Sequence, residues 1–164
     1  MKVRGTHNLN APRALVFAAI CDPDVLLGVI PGCREIEQTG DTEYRGLISL
    51  RLPGIVGTYR TVVRLVDAEA PNFGKLEGEV EGSLGTIKGH ATFRLTESGS
   101  GTRIDYDGQA AIGGPLARLD NRFIEGLAGS LINQGLRNLD SRLQAESPAG
   151  VAIDRGQQTR ETRA

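Results

Sequence analysis

The chain has no tryptophan, one methionine, two histidines and two cysteines, and aromatic residues make up only 4% of its 164 positions. So few ligating side chains leave little for metal chemistry. Cys21 and Cys33 lie far apart, no C-x-x-C occurs, and no histidine pair has zinc spacing. The cysteines read as small buried thiols of a reducing compartment. Net charge is nearly missing too, at −1 from 19 Lys and Arg against 20 Asp and Glu. A dedicated nucleic-acid binder concentrates basic charge on one surface, and this balance argues against one. No run of eighteen apolar residues exists to span a bilayer. The opening Met-Lys-Val-Arg enters an alternating segment at once, so no signal peptide is read and a cytoplasmic location is expected.

What is abundant is glycine, 22 residues in all, nearly twice the usual fraction. Residues 2–9 alternate, with Val3, Gly5, His7 and Leu9 on one side, which predicts a half-buried strand. Asn10-Ala11-Pro12 opens a helix, and Asp22-Pro23 starts a second, short one closing at Gly28. An extended segment from Ile30-Pro31-Gly32-Cys33 ends near Gln38, and a period of two then persists for about seventy-five residues. Turns at Thr39-Gly40-Asp41-Thr42, Leu52-Pro53-Gly54 and Ser98-Gly99-Ser100-Gly101 predict antiparallel neighbours. From Leu116 the period becomes helical, with one stripe at Leu116, Leu119, Phe123, Leu127 and Leu131 and a second at Ile132, Leu136, Leu139 and Leu143. A helix of about thirty residues, about 45 Å long, would cross the whole sheet. The fold class is thus α+β: a seven-stranded antiparallel sheet curved around a long C-terminal helix, with two short helices after the first strand. One domain is expected over residues 1–145, followed by a polar, disordered tail over 146–164.

The strand face turned toward the helix is thinly furnished. Its inward residues on the last three strands are Gly74, Leu76, Gly78, Val80, Gly82, Ile87, Gly89, Ala91, Phe93, Leu95, Ile104, Tyr106, Gly108, Ala110 and Ile112, nearly half of them Gly or Ala. Interiors are filled to crystal-like density, so small residues there leave two readings. Either the glycines mark bulges and curvature, with the helix dropping into the trough, or an elongated apolar cavity remains between the sheet and the C-terminal helix, closed by the short helices and open at one end. On the second reading the ligand cavity is lined by His7, Leu26, Ile30, Tyr44, Ile48, Tyr59, Val63, Leu76, Gly78, Gly89, Ala91, Phe93, Tyr106, Gly108, Phe123, Leu127 and Leu131. No catalytic residue and no metal ligand is assigned. His7 reads as a core or rim histidine, and Asp120 as a solvated carboxylate favoured by the helix dipole. Tyr44, Tyr59 and Tyr106 either anchor a polar ligand head or serve as core with hydroxyls at the rim. Glu77, Glu79 and Glu81 form an acidic outer stripe.

Several segments resemble the CoxG family of carbon monoxide dehydrogenase subunits, which belongs to the START-like, Bet v 1-like helix-grip (SRPBCC) superfamily. They are Ala11-Pro12, Asp22-Pro23-Asp24-Val25-Leu26 leading into Ile30-Pro31-Gly32-Cys33, Asp41-Thr42-Glu43-Tyr44, Gly101-Thr102-Arg103, and Gly113-Gly114 with Leu116-Ala117 and Leu119. The resemblance implies a non-catalytic accessory protein of a molybdenum-type carbon monoxide dehydrogenase or related hydroxylase. It also implies recruitment to the inner face of the cytoplasmic membrane and a hydrophobic quinone such as menaquinone, or a lipid-like molecule, as carried ligand, with no covalently bound cofactor. Two features depart from the family: Asp120 stands where a small residue is frequent, and the tail is polar where some relatives carry an apolar extension. Two other functions remain open for the same fold, an aromatase/cyclase-like enzyme and a ligand-free structural adaptor.

Overall fold

A computed structural model describes residues 1–146 of the chain; of the expected tail, Glu146 ends the last helix and 147–164 lie outside the described residues. The elements are β1 (Lys2–Leu9), α1 (Arg13–Ile20), α2 (Pro23–Val29), β2 (Cys33–Gln38), β3 (Glu43–Leu52), β4 (Ile55–Glu69), β5 (Phe73–Gly82), β6 (Gly85–Ser98), β7 (Gly101–Gly113) and α3 (Asn121–Glu146). All seven strands form one antiparallel sheet in the order β1-β7-β6-β5-β4-β3-β2. β1 and β2 are therefore opposite edges although they are near in sequence. The α1–α2 segment must cross the sheet between them. Six strand spacings of about 4.8 Å make a span of about 29 Å, and the seventeen residues from Arg13 to Val29 cover about 25 Å as helix.

Local chemistry sets the helix ends. Pro12 precedes α1 in an extended conformation, where its missing N–H removes no bond. The Asp22 carboxylate accepts from the Asp24 N–H and caps α2, with Pro23 in the first turn. Gly28 lies inside α2 rather than closing it; Ile30 follows as the extended C-terminal residue. The expected thirty-residue helix is divided. Gly114–Arg118 forms a 3-10 turn held to the β5–β6 hairpin by the Leu116 N–H donating to the Leu84 carbonyl. Leu119 is extended, and Asp120 restarts the chain as a cap, its carboxylate accepting from the Arg122 N–H at 2.7 Å. α3 proper has 26 residues, about 39 Å.

α3 runs against β1 and α2. Glu125 accepts from the Lys2 backbone N–H, Asp140 accepts from the Asn10 backbone and side chain, and the Asn138 amide donates to the Val29 carbonyl. On the outer face Arg60 pairs with Glu81 at 2.9 Å and Arg64 with Glu79 at 3.5 Å, so much of the acidic stripe is neutralised across strands. These pairs are exposed and contribute little individually.

The core is divided in two. The larger cluster joins Leu9, Ala11, Val16, Ala19, Val25 and Val29 to Phe93, Leu95 and Ile104, with Leu139 and Leu143 from the end of α3. The smaller cluster holds Ile55, Tyr59 and Leu116 with Ile124 from the start of α3. No residue belongs to both.

Candidate functional site

Between the two clusters lies a cavity of about 460 Å³. Its floor is the middle of the sheet: Gly46 and Ile48 of β3, Thr61, Val63 and Leu65 of β4, Leu76, Gly78 and Val80 of β5, Ile87, Gly89 and Ala91 of β6, and Gly108 and Ala110 of β7. Met1 and Val3 flank it on one side, Cys33, Ile36 and Tyr44 on the other, and Ile20, Cys21, Leu26 and Ile30 cover it from α1 and α2. Arg45, Glu77, Glu79, His90 and Gln109 also border the space, but these residues are exposed and alternate with the inward ones, so the strand period turns their side chains to the outer face and leaves the walls apolar.

The polar side chains that do reach the space are mostly committed. The Tyr44 hydroxyl donates to the Cys21 carbonyl at 2.7 Å, and the Thr61 hydroxyl donates to the Gly46 carbonyl at 3.2 Å. Burial holds the Tyr44 phenol above its ordinary value, helped by the proximity of Cys21 and Asp22. Both cysteines are free thiols. Burial pushes each of them up, and for Cys33 a bond from its Sγ to the Glu35 carbonyl partly opposes the shift. They are thiols at neutral pH and so weak nucleophiles. Among the described residues no group of His, Cys, Asp and Glu is placed to hold a metal ion.

Ten of the residues expected at the cavity line it: Leu26, Ile30, Tyr44, Ile48, Val63, Leu76, Gly78, Gly89, Ala91 and Gly108. Seven do not. A shared device removes three of these, Tyr59, Phe93 and Tyr106. Phe93 lies opposite Gly74, and Tyr106 opposite Gly5; Tyr59 stands opposite Gly82, one step beyond the Arg60–Glu81 pair. Each ring folds across onto the bare Cα of its glycine: a Cβ on Gly5 would meet the Tyr106 hydroxyl at 2.5 Å and one on Gly82 the Tyr59 Cδ2 at 2.5 Å, while one on Gly74 would overlap the Phe93 ring. Such glycines accommodate cross-strand aromatics rather than a ligand. Phe93 thereby joins the larger cluster and Tyr59 the smaller, with Tyr106 packed at the border of the larger. Tyr59 is only 3% exposed, and its hydroxyl has no partner among the described residues.

Of the other four, three lie on α3, no residue of which lines the cavity. Phe123 is 40% exposed. Leu127 packs on the smaller cluster, and Leu131 is half-buried between the helix segments that enter the two clusters. His7 is half-buried on the edge strand opposite Ile104, beyond the part of that edge, Met1 and Val3, that reaches the cavity. Asp120 is a helix cap rather than a group at the entrance.

The two readings of the glycines are both realised, at different positions. A Cβ on Gly89 would collide with the Gln109 carbonyl and lie 2.9 Å from the Ala110 Cβ, so Gly89 permits close strand approach. A Cβ on Gly78 would meet only the Val62 carbonyl at 3.5 Å and Val63 Cγ2 at 3.7 Å, ordinary contacts. Gly78 therefore leaves space that a side chain would fit.

The family model for the CoxG subunit of carbon monoxide dehydrogenase matches residues 5–144. The chain belongs to the CoxG family. No curated protein matches it. Among solved structures, a conserved protein from Geobacillus kaustophilus is similar with a TM-score of 0.83 and 24% identity, covering 87% of this chain and 95% of that one. A START superfamily protein from Mycobacterium smegmatis gives 0.69 and 12%, covering 87% and 97%, and a protein from Thermus thermophilus gives 0.68 and 18%, covering 90% and 99%. Identities this low speak for the fold alone, and the fold of this CoxG-family chain is the START-like helix-grip. No helix of the described residues is long and apolar enough to cross a membrane.

Proposed function

We propose that the chain is a non-catalytic accessory protein that carries a hydrophobic molecule, a quinone such as menaquinone or a lipid-like compound, in the cavity beneath α1 and α2. It delivers this cargo to or from a molybdenum-type carbon monoxide dehydrogenase or related hydroxylase, working at the inner surface of the cytoplasmic membrane. The family supports the partner enzyme. The observation that carries the ligand class is the wall itself, almost wholly aliphatic and glycine, with its two hydroxyls already bonded to backbone carbonyls. Apolar walls reward desolvation of an apolar guest at about 25 cal/mol per Å² buried.

Volume narrows the guest. At about 30 Å³ per water-sized group, 460 Å³ holds about fifteen heavy atoms. That accommodates a quinone ring with a short stretch of its isoprenoid tail, or one acyl chain of moderate length. A longer tail extends out of the cavity. Tyr44 offers the one phenol on the wall; its proton is given to the Cys21 carbonyl, so it can accept from a quinol hydroxyl or a protonated carboxyl but makes no bond to the carbonyls of an oxidised quinone.

Native mass spectrometry of chain purified from its own host, and titration of emptied chain with a short-tailed menaquinone, test this reading. Stoichiometric uptake is expected. Chain that is recovered empty and takes up neither quinone nor fatty acid refutes it.

A further inference from the structure

We propose that the tip of the β3–β4 hairpin, together with the first turn of α3, forms an apolar wedge that docks on an anionic phospholipid surface. The inference rests on the carrier reading and deepens it by naming the face through which that surface is met.

Four observations carry it. First, among the described residues Val56 has the largest exposure of any bulky apolar side chain, at 62%, and Phe123 is 40% exposed. Second, the two belong to one projection. Pro53 and Gly54 form the hairpin turn, Gly54 adopting φ +79°, and a Cβ on Gly54 would touch Phe123 Cε2 at 3.8 Å and Leu119 Cδ1 at 4.0 Å. A turn at the end of a two-stranded ribbon, backed by a helix start, is convex; it suits insertion among headgroups better than the flat or concave faces that protein partners bury. Third, the wedge is collared by cations. Arg51 is paired across the hairpin with Val56, and Arg118 and Arg122 flank Leu119 and Phe123 in sequence. Among the described residues none of these three guanidinium groups has an ion-pair or hydrogen-bond partner, whereas six other arginines are paired with carboxylates. Fourth, the single carboxylate in that stretch, Asp120, caps α3 and forms no ion pair with them, so its one negative charge leaves the three guanidinium groups in excess.

Exposed apolar side chains ringed by unpaired arginines match the layering of an anionic bilayer interface, where each basic residue near the surface contributes. The wedge also adjoins the cavity. Met1, Val80 and Ile87 both line the cavity and pack on the smaller core cluster, which the hairpin and the start of α3 build. Docking by the wedge therefore turns the smaller cluster, and the end of the cavity behind it, toward the lipid.

The absence of tryptophan makes the test direct, since one introduced indole is the sole reporter. The full chain carrying Phe123→Trp is mixed with vesicles of phosphatidylglycerol and phosphatidylcholine, or of phosphatidylcholine alone. A second chain carries Leu27→Trp in α2, exposed to a similar degree but away from the wedge. The expected result is an emission blue shift for Phe123→Trp with the anionic vesicles only, weakened by added salt, and none for Leu27→Trp. Adding Arg118→Gln and Arg122→Gln should lower vesicle partitioning about fivefold for each charge removed. Unchanged Phe123→Trp emission on anionic vesicles, in chain that still takes up menaquinone in solution, overturns the docking face and leaves the carrier reading standing. Equal binding to neutral vesicles, or a shift at Leu27→Trp instead, overturns it as well. Chain that docks as expected but never takes up a ligand counts against the carrier reading alone.

Discussion

Filling the cavity from its own floor is the sharpest perturbation available, and Gly78→Leu does it. The backbone there accepts a Cβ without collision, and the side chain points among Val63, Leu76 and Ala91. Four added carbon atoms, at about 30 Å³ each, occupy about a quarter of the 460 Å³. Burying a leucine side chain contributes about 1.5–3 kcal/mol, and replacing glycine within a strand adds about 0.5–1 kcal/mol. Imperfect fit offsets part of this, so a net gain of about 1–2 kcal/mol is expected. For a chain of this length that raises the melting temperature by about 3–6 °C. Thermal unfolding followed by circular dichroism measures the gain, and quinone titration of the same sample should show uptake reduced tenfold or more. Gly89→Leu is the matched contrast. Its Cβ meets the neighbouring strand's backbone, so it should destabilise by at least the ~1–3 kcal/mol typical of overpacking. If Gly78→Leu loses stability to the same degree while quinone uptake is retained, the space is not where the ligand sits and the reasoning fails.

Three further outcomes follow from side chains already described. Tyr59→Phe removes a buried hydroxyl that has no partner, so stability should stay level or rise by up to about 1 kcal/mol; a loss above that in urea denaturation would mean that the hydroxyl is bonded after all. Asp120→Ala deletes the cap of α3 and should cost about 0.5–2 kcal/mol, read by denaturation, with no change in quinone affinity. Burial raises the pKa of Cys21, Cys33 and Tyr44, so the folded chain holds these protons more tightly than the unfolded one. Their contribution is complete below the ordinary thiol value of 9.0 and declines as pH rises past it. The melting temperature should therefore fall above about pH 9, and less steeply in a Cys21→Ala, Cys33→Ala chain. Equal slopes would refute the assignment.

The fold is legible because its signals are local. Asp22-Pro23 caps α2, Pro53-Gly54 turns β3 into β4, and the alternation of charged and apolar residues assigns faces that the strand pairing bears out. The split at Leu119-Asp120 is legible only in part: the stripe Leu116, Leu119, Phe123 keeps helical spacing across a break that depends on the Leu84 carbonyl, a distant strand end. The cavity is harder. Periodicity tells which side of a strand faces inward but not which inward residue meets space. Cross-strand neighbours make that choice, as where Gly82 receives Tyr59. The short helices cover the space as expected, but the long helix does not line it, and the reason is topological. Edge-to-edge placement of β1 and β2 sends α1 and α2 across the sheet, and Ile20, Cys21 and Cys33 enter the wall with them. Their signal is present in the small and apolar residues bracketing the Asp-Pro and Ile-Pro-Gly segments.

Two hydrophobic nuclei that share no member give the molecule an internal gauge of its own occupancy. With a guest bridging them, both nuclei and guest melt as one body, since the bound state gains stability by mass action. Without it, the end built on four buried residues loosens ahead of the end built on eleven. On the carrier reading, protease should therefore cut vacant chain first at the β3–β4 hairpin, and chain holding its guest should resist the cut.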